Sequence, residues 1–115
     1  MTNLTLAWSY LKKAHDRLDI LDLLISKGAY SDVVPEAQEI VELALKGMLR
    51  LAGIDPPKYH EVGGLLLEHR DKFPAETQAV LAELARVSKK LRKERELAFY
   101  GDIDFIPTEE YSVLI

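Results

Sequence analysis

Leu4, Ala7, Leu11, Ala14, Leu18, Leu21 and Ile25 recur at steps of three and four, and Gly28 follows soon after. Steps of three and four return to one face of a helix, whereas a half-buried strand would alternate by two. The spacing therefore predicts one long amphipathic helix from about Asn3 to Lys27, with the glycine as its left-handed stop. Leu6, Trp8, Tyr10, Ile20, Leu23 and Leu24 widen the apolar face beyond a single seam. Such a face predicts contact with more than one neighbour.

A second helix is predicted to open near Ser31 or Asp32, whose side chains suit capping, with Pro35 tolerated near the first turn, and to run to about Ala52 before Gly53. Its apolar residues cover more than half the circumference, as suits a central helix. They leave a polar strip of Glu39, Glu42, Lys46 and Arg50. Glu42 and Lys46 have the order and spacing of a surface ion pair, which leaves Glu39 the freer carboxylate. Asp55-Pro56-Pro57 breaks the chain, because prolines lack an amide proton and push the preceding residue out of helical geometry. A third helix, about Tyr59 to Lys72, carries Gly63-Gly64 at roughly 1 kcal/mol each against alanine, which implies close packing there. A fourth is predicted from Pro74 or Ala75 to about Tyr100, closed by Gly101. The remainder, Asp102 to Ile115, alternates acidic and apolar residues and is expected to lie along the bundle or a partner.

The predicted fold is all-α, an up-and-down antiparallel bundle of four to five helices in a single domain spanning residues 1–115. With 115 residues, 48% of them hydrophobic, the chain can bury one core and not two. No apolar run approaches the ~20 residues that cross a bilayer, and the first residues lack a basic-then-apolar leader, so a cytoplasmic protein without membrane association is expected. The absence of cysteine excludes disulfides, thiolate nucleophiles and cysteine-ligated zinc.

The fourth helix carries the main anomaly. Its stripe runs Val80, Leu84, Val87, Leu91, and the next positions on that face are Arg95 and Ala98. Burying a guanidinium without partners costs several kcal/mol, so Arg95 must meet carboxylates or carbonyls, or line an open cleft. Around it Arg86, Lys89, Lys90, Arg92, Lys93 and Arg95 fall within ten residues of a chain whose net charge is -4. This stripe is either a solvated face or a contact for phosphate. An acidic protein is not a general nucleic-acid coat, and DNA is not an expected partner.

No glycine-rich phosphate loop, nucleophile elbow or two-histidine metal spacing is present, so neither a metal site nor a cofactor is expected. His15 and His69 read as superficial. His60, at the head of the third helix, is placed to cap free amides or face the second helix. The polar candidates that remain are the Glu94-Arg95-Glu96 triplet with Tyr100 and Asp102, and Glu39 and Lys46 on the second helix. Arg95 and Tyr100 lie about 140° apart on an ideal helix, so they share a cleft only as its two borders.

The segment Ala29 to Leu49, with Ala37-Gln38-Glu39 and Lys46, resembles the second-helix signature of the HEPN family (higher eukaryotes and prokaryotes nucleotide-binding). Pro56 to Val62, containing His60, is similar to the head of that family's third helix, and Arg92 to Asp102 to its charged final helix. The resemblance implies a helical bundle, often a two-fold homodimer, frequently encoded beside a small nucleotidyltransferase as a toxin-antitoxin-like module. Many members are RNA-cleaving toxins with an arginine followed four to six residues later by a histidine. This chain departs from that pattern, since Tyr100 stands five residues after Arg95 and a phenol, ionising near pH ~10 in water, is a poor proton shuttle beside imidazole. Tyr100 is also a candidate acceptor for adenylylation, although the family's tyrosine falls at the position of Asp102.

The reading that follows is a HEPN-like subunit without the arginine-histidine ribonuclease site. Such a subunit binds a nucleotide or RNA phosphate, or docks a nucleotidyltransferase. Arg95 would hold the anion, Glu39 and Glu94 would orient it, and Tyr100 would stack or donate a hydrogen bond, with Lys46, Asp102 and His60 nearby. Two alternatives stay open: a metal-independent ribonuclease using Arg95 and Tyr100 with His60, and a structural adaptor in which Arg95 fixes helix register.

Overall fold

The computed structural model describes residues 3–56, 58 and 62–111. In chain order the elements are α1 (Asn3–Ser26), α2 (Tyr30–Leu51), α3 (Val62–Glu68), a 3-10 turn (Arg70–Lys72), α4 (Ala75–Phe99) and α5 (Pro107–Glu110), with no β-strand among the described residues. Gly28 adopts the left-handed conformation expected after α1, with φ of 71°. The predicted cap of α2 is not formed. Its N-cap is Ala29 with no side-chain hydrogen bond, while Ser31 and Asp32 are already helical and Ser31 is buried. The third helix is shorter than predicted on its described residues, because the chain tightens into the 3-10 turn before Phe73.

Side-chain contacts set the directions of the helices. Gly47 of α2 lies against Ala7 and Leu11 near the start of α1, and Arg17 farther along α1 reaches Glu36 near the start of α2, so the two run antiparallel. Arg92 and Arg95 near the end of α4 meet Glu42, Gln38 and Glu39 in the first half of α2, so α4 also runs antiparallel to it. Gly63 faces Ala85, which makes α3 and α4 a hairpin about the 3-10 turn. The result is the all-α up-and-down bundle, with α2 at its centre.

Leu45, Leu49, Val62, Leu66 and Leu81 form the core, flanked by Val41, Met48, Ile54, Phe73 and Leu84. Each buried leucine contributes about 1.5–3 kcal/mol relative to exposure. Two close approaches shape this core. A Cβ on Gly63 would sit 2.7 Å from the Ala85 Cα, and one on Gly47 would sit 3.0 Å from the Leu11 side chain. The unfavourable glycine of the third helix therefore has its packing reason at Gly63, whereas Gly64 faces open space.

Close approach also shifts the predicted seam of α4. On α4 the buried line is Leu81, Ala85, Ser88 and Ala98, one position on from the predicted Val80, which is 49% exposed. On α1 the predicted seam holds at Ala7 and Ala14, which are buried, while its Leu4 and Leu18 are exposed, as are Trp8, Ile20 and Leu23. Apolar periodicity ranks large side chains highest, but tightly packed helices put their small residues at the contact.

α1 packs along α2 and makes no comparable contact with the other described helices. The second neighbour predicted for α1 is thus absent from the described chain. This side-by-side arrangement gives a radius of gyration of 15.4 Å, against about 13 Å for a compact domain of this length. No described helix is long and apolar enough to cross a membrane.

After Gly101 the chain folds back, with Asp102 and Phe105 paired through their backbones and α5 resting on α2 and α4. Gly101 has φ of 67°, and a Cβ there would meet the Phe105 carbonyl oxygen at 2.4 Å. The tail lies along the bundle as predicted, through Tyr111; Ser112 to Ile115 fall outside the described residues.

Candidate functional site

The predicted stripe and the observed buried line of α4 both lead to Arg95, which emerges at the edge of the core. Its side chain is 47% exposed. Nη1 donates to Oε1 of Gln38 and, at 3.2 Å, to Oε2 of Glu39. Gln38 is 4% exposed, so the buried partner of the guanidinium is a neutral amide and the carboxylate lies at the surface side. Nε and Nη2 of Arg95 have no hydrogen-bond partner among the described residues. One turn earlier, Arg92 uses Nη2 to pair with Glu42. This replaces the Glu42–Lys46 pair predicted within α2, because α4 brings a guanidinium to the same carboxylate across the helix interface.

Two concavities meet at Arg95. The first, about 350 Å³, is lined by Arg92, Arg95, Glu96, Phe99 and Tyr100. The second, about 360 Å³, lies between the end of α1, the start of α2 and the end of α4. Its walls are Arg17, Ile20, Leu24, Asp32, Pro35, Glu36 and Glu39, with Arg95 and Phe99 shared between the two clefts. Arg17 is fully engaged there, its Nε 3.0 Å from Oε1 and its Nη2 3.2 Å from Oε2 of Glu36. Such two-pronged pairing is the strongest geometry open to arginine, and it leaves Arg17 little capacity for a ligand.

Tyr100 is 75% exposed and its ring packs at a tilt on Phe99, with centroids 4.9 Å apart. Arg95 and Tyr100 therefore border one cleft despite their angular separation. Three other candidates lie elsewhere. Glu94 lines neither cleft and lies near Tyr111, where burial first and the Glu94 charge second push the phenol above its ordinary pKa. The Asp102 carboxylate accepts the Asp104 amide at 2.8 Å within the exposed turn, outside both clefts. Lys46 sits about 10 Å along the α2 axis from Glu39 and borders neither cleft. His60 lies outside the described residues.

The profile of the HEPN domain matches residues 7–115. The chain belongs to the HEPN domain family. No curated protein and no solved structure matches it. Against the arginine-histidine spacing found in many HEPN ribonucleases, the fourth to sixth positions after Arg95 are Phe99, Tyr100 and Gly101, and those after Arg92 are Glu96, Leu97 and Ala98.

Reading the sequence by residue type noted Arg92 in the basic stripe and Glu96 beside Arg95, and missed Gln38 and Phe99 as members of this candidate site. Gln38 had a signal, since a lone amide among the apolar residues of a central helix calls for a partner. Phe99 had none, because its exposure depends on where α4 ends.

Proposed function

We propose that this chain is a HEPN subunit that holds a phosphate group, of a nucleotide or an RNA strand, in the cleft of Arg95 and lacks the arginine-histidine cleavage site. One observation carries this: Arg95 is anchored through Nη1 alone, leaving Nε and Nη2 without partners among the described residues in a cleft walled by Phe99 and Tyr100. A guanidinium fixed at one prong and free at the other meets phosphate in a preset direction. Exposed aromatic rings beside it suit a base face. The cleft offers no imidazole at the family's spacing from either arginine, which favours binding over cleavage.

The apolar residues left exposed on α1, Trp8 foremost, favour a homodimer in which a second copy covers them. The small nucleotidyltransferase implied by the family resemblance is proposed as a further partner. The test is to mix the purified protein with labelled single-stranded RNA, with and without divalent metal, and follow retention and cleavage together. Retention without cleavage, lost in Arg95→Ala, is expected. Cleavage abolished by Arg95→Ala or Tyr100→Phe would establish the ribonuclease alternative instead.

A further inference from the structure

Among the cations of α4, arginines and lysines behave differently. Arg86 pairs with Glu83, Arg92 with Glu42 and Arg95 with Glu39. Lys89, Lys90 and Lys93 are exposed and have no ion pair or hydrogen bond among the described residues. At 100° per residue Lys89, Lys93 and Tyr100, the exposed ring at the mouth of the Arg95 cleft, fall within about 40° of one another on one outward face. Lys90 lies at its edge, and the Glu96 carboxylate falls on the same face between Lys93 and Tyr100. The distance from Lys89 to Tyr100 along the axis is about 16 Å at 1.5 Å per residue. The cleft of about 350 Å³ is lined by none of the three lysines, and Lys89 and Lys90 carry the cationic surface up to one turn beyond it.

We infer that the lysine face of α4 is a track for the backbone of a single-stranded RNA whose terminal or kinked nucleotide enters the Arg95 cleft, so that the ligand of this subunit is a polynucleotide. This rests on the phosphate reading of the cleft and extends it. Unpaired ammonium groups on flexible stems suit a backbone of variable geometry, because each acts as a point charge and demands no fixed orientation. The paired arginines supply the fixed end. An exposed, tilted aromatic pair where the track meets the cleft provides stacking surface for a base leaving the track, and such stacking tolerates any base. The inference therefore specifies weak sequence preference and strong salt dependence.

The test measures binding of a labelled 20-nucleotide single-stranded RNA across a salt series, with AMP as a separate ligand. The proteins are the wild type, Arg95→Ala, and a triple variant carrying Lys89→Gln, Lys90→Gln and Lys93→Gln. All three lysines are solvent-exposed, so the triple variant is expected to keep the wild-type melting temperature. Neutralising three phosphate contacts lowers the slope of log affinity against log salt by about 2 for a single strand. The expected result is that loss of slope with at least tenfold weaker RNA binding, while AMP binding stays unchanged. RNA binding untouched in the triple variant but lost in Arg95→Ala overturns the track and leaves the cleft standing. RNA binding untouched in both variants, or no RNA binding by the wild type, overturns both.

Discussion

The guanidinium of Arg95 donates to the side-chain oxygen of Gln38, an amide that is 4% exposed, so a residue near the end of α4 satisfies a polar group sealed inside α2. This determines how the two helices answer to mutation. Replacing Arg95 by Met removes the partner of a buried acceptor, which costs about 1–3 kcal/mol. Had the guanidinium met only a buried carboxylate, an apolar replacement of the whole pair would have been the favourable change. Arg95→Met is expected to lower stability in urea, and adding Gln38→Met to recover most of the loss. A double variant no more stable than Arg95→Met alone would show that the two side chains are not coupled.

Gly63 and Gly64 are neighbours with opposite surroundings. A methyl group on Gly63 would press on the Ala85 backbone at 2.7 Å, whereas one on Gly64 meets nothing within 4 Å. Gly63→Ala is expected to destabilise by about 1–3 kcal/mol through overpacking. Gly64→Ala is expected to stabilise by about 0.5–1 kcal/mol through helix propensity. Urea midpoints of the two variants check the pair, and equal shifts of the same sign would refute the contrast.

Tyr111 links the tail to pH. Burial, followed by the charge of Glu94, raises its phenol pKa in the folded chain above the ordinary tyrosine value of about 10. A group that ionises more readily unfolded than folded contributes stability that is complete below its unfolded pKa. That contribution is lost as pH rises from about 10 through the folded value. Tyr111→Phe is expected to flatten the decline in stability above pH ~10 and to leave the neutral-pH profile unaltered in shape. Urea unfolding at a series of alkaline pH values makes the comparison, and parallel profiles would remove Tyr111 from the account.

Glu96 is the carboxylate in the cleft of Arg92, Arg95, Phe99 and Tyr100, and it has no partner among the described residues. An incoming phosphate meets its repulsion, worth at most about 1 kcal/mol in a wet site. Glu96→Gln is expected to tighten binding of AMP about two- to fivefold without altering thermal stability. Calorimetric titration reads this directly, and unchanged or weaker binding would place the anion elsewhere.

Much of the architecture was legible in the order of residues. The seam from Leu4 to Ile25 and the breaks at Gly28, Gly53 and Pro56-Pro57 predicted the long helices to within a few positions, because period and chain-breaking chemistry are local properties. The same local reasoning flagged Arg95, a charge on an apolar line, and required that it be paired or border a cleft. Both hold, since the side chain does one with one nitrogen and the other with the rest.

Tertiary structure alone decided which partners Arg95 takes, that Glu42 belongs to Arg92 instead of Lys46, and that Glu94 lies near Tyr111. It also decided that Asp102 is consumed by its own turn, that Ala85 and Ser88 are buried on α4 where Leu84 and Val87 were expected, and that within the predicted α1 seam the alanines are covered while Leu4 and Leu18 are exposed. These follow from the distance and rotation between helices, which close approach at Gly47 and Gly63 sets. Periodicity along one helix reports which face is apolar. It carries no term for how near the next backbone comes, and at that spacing small residues reach the interface while long charged side chains find their partners across it.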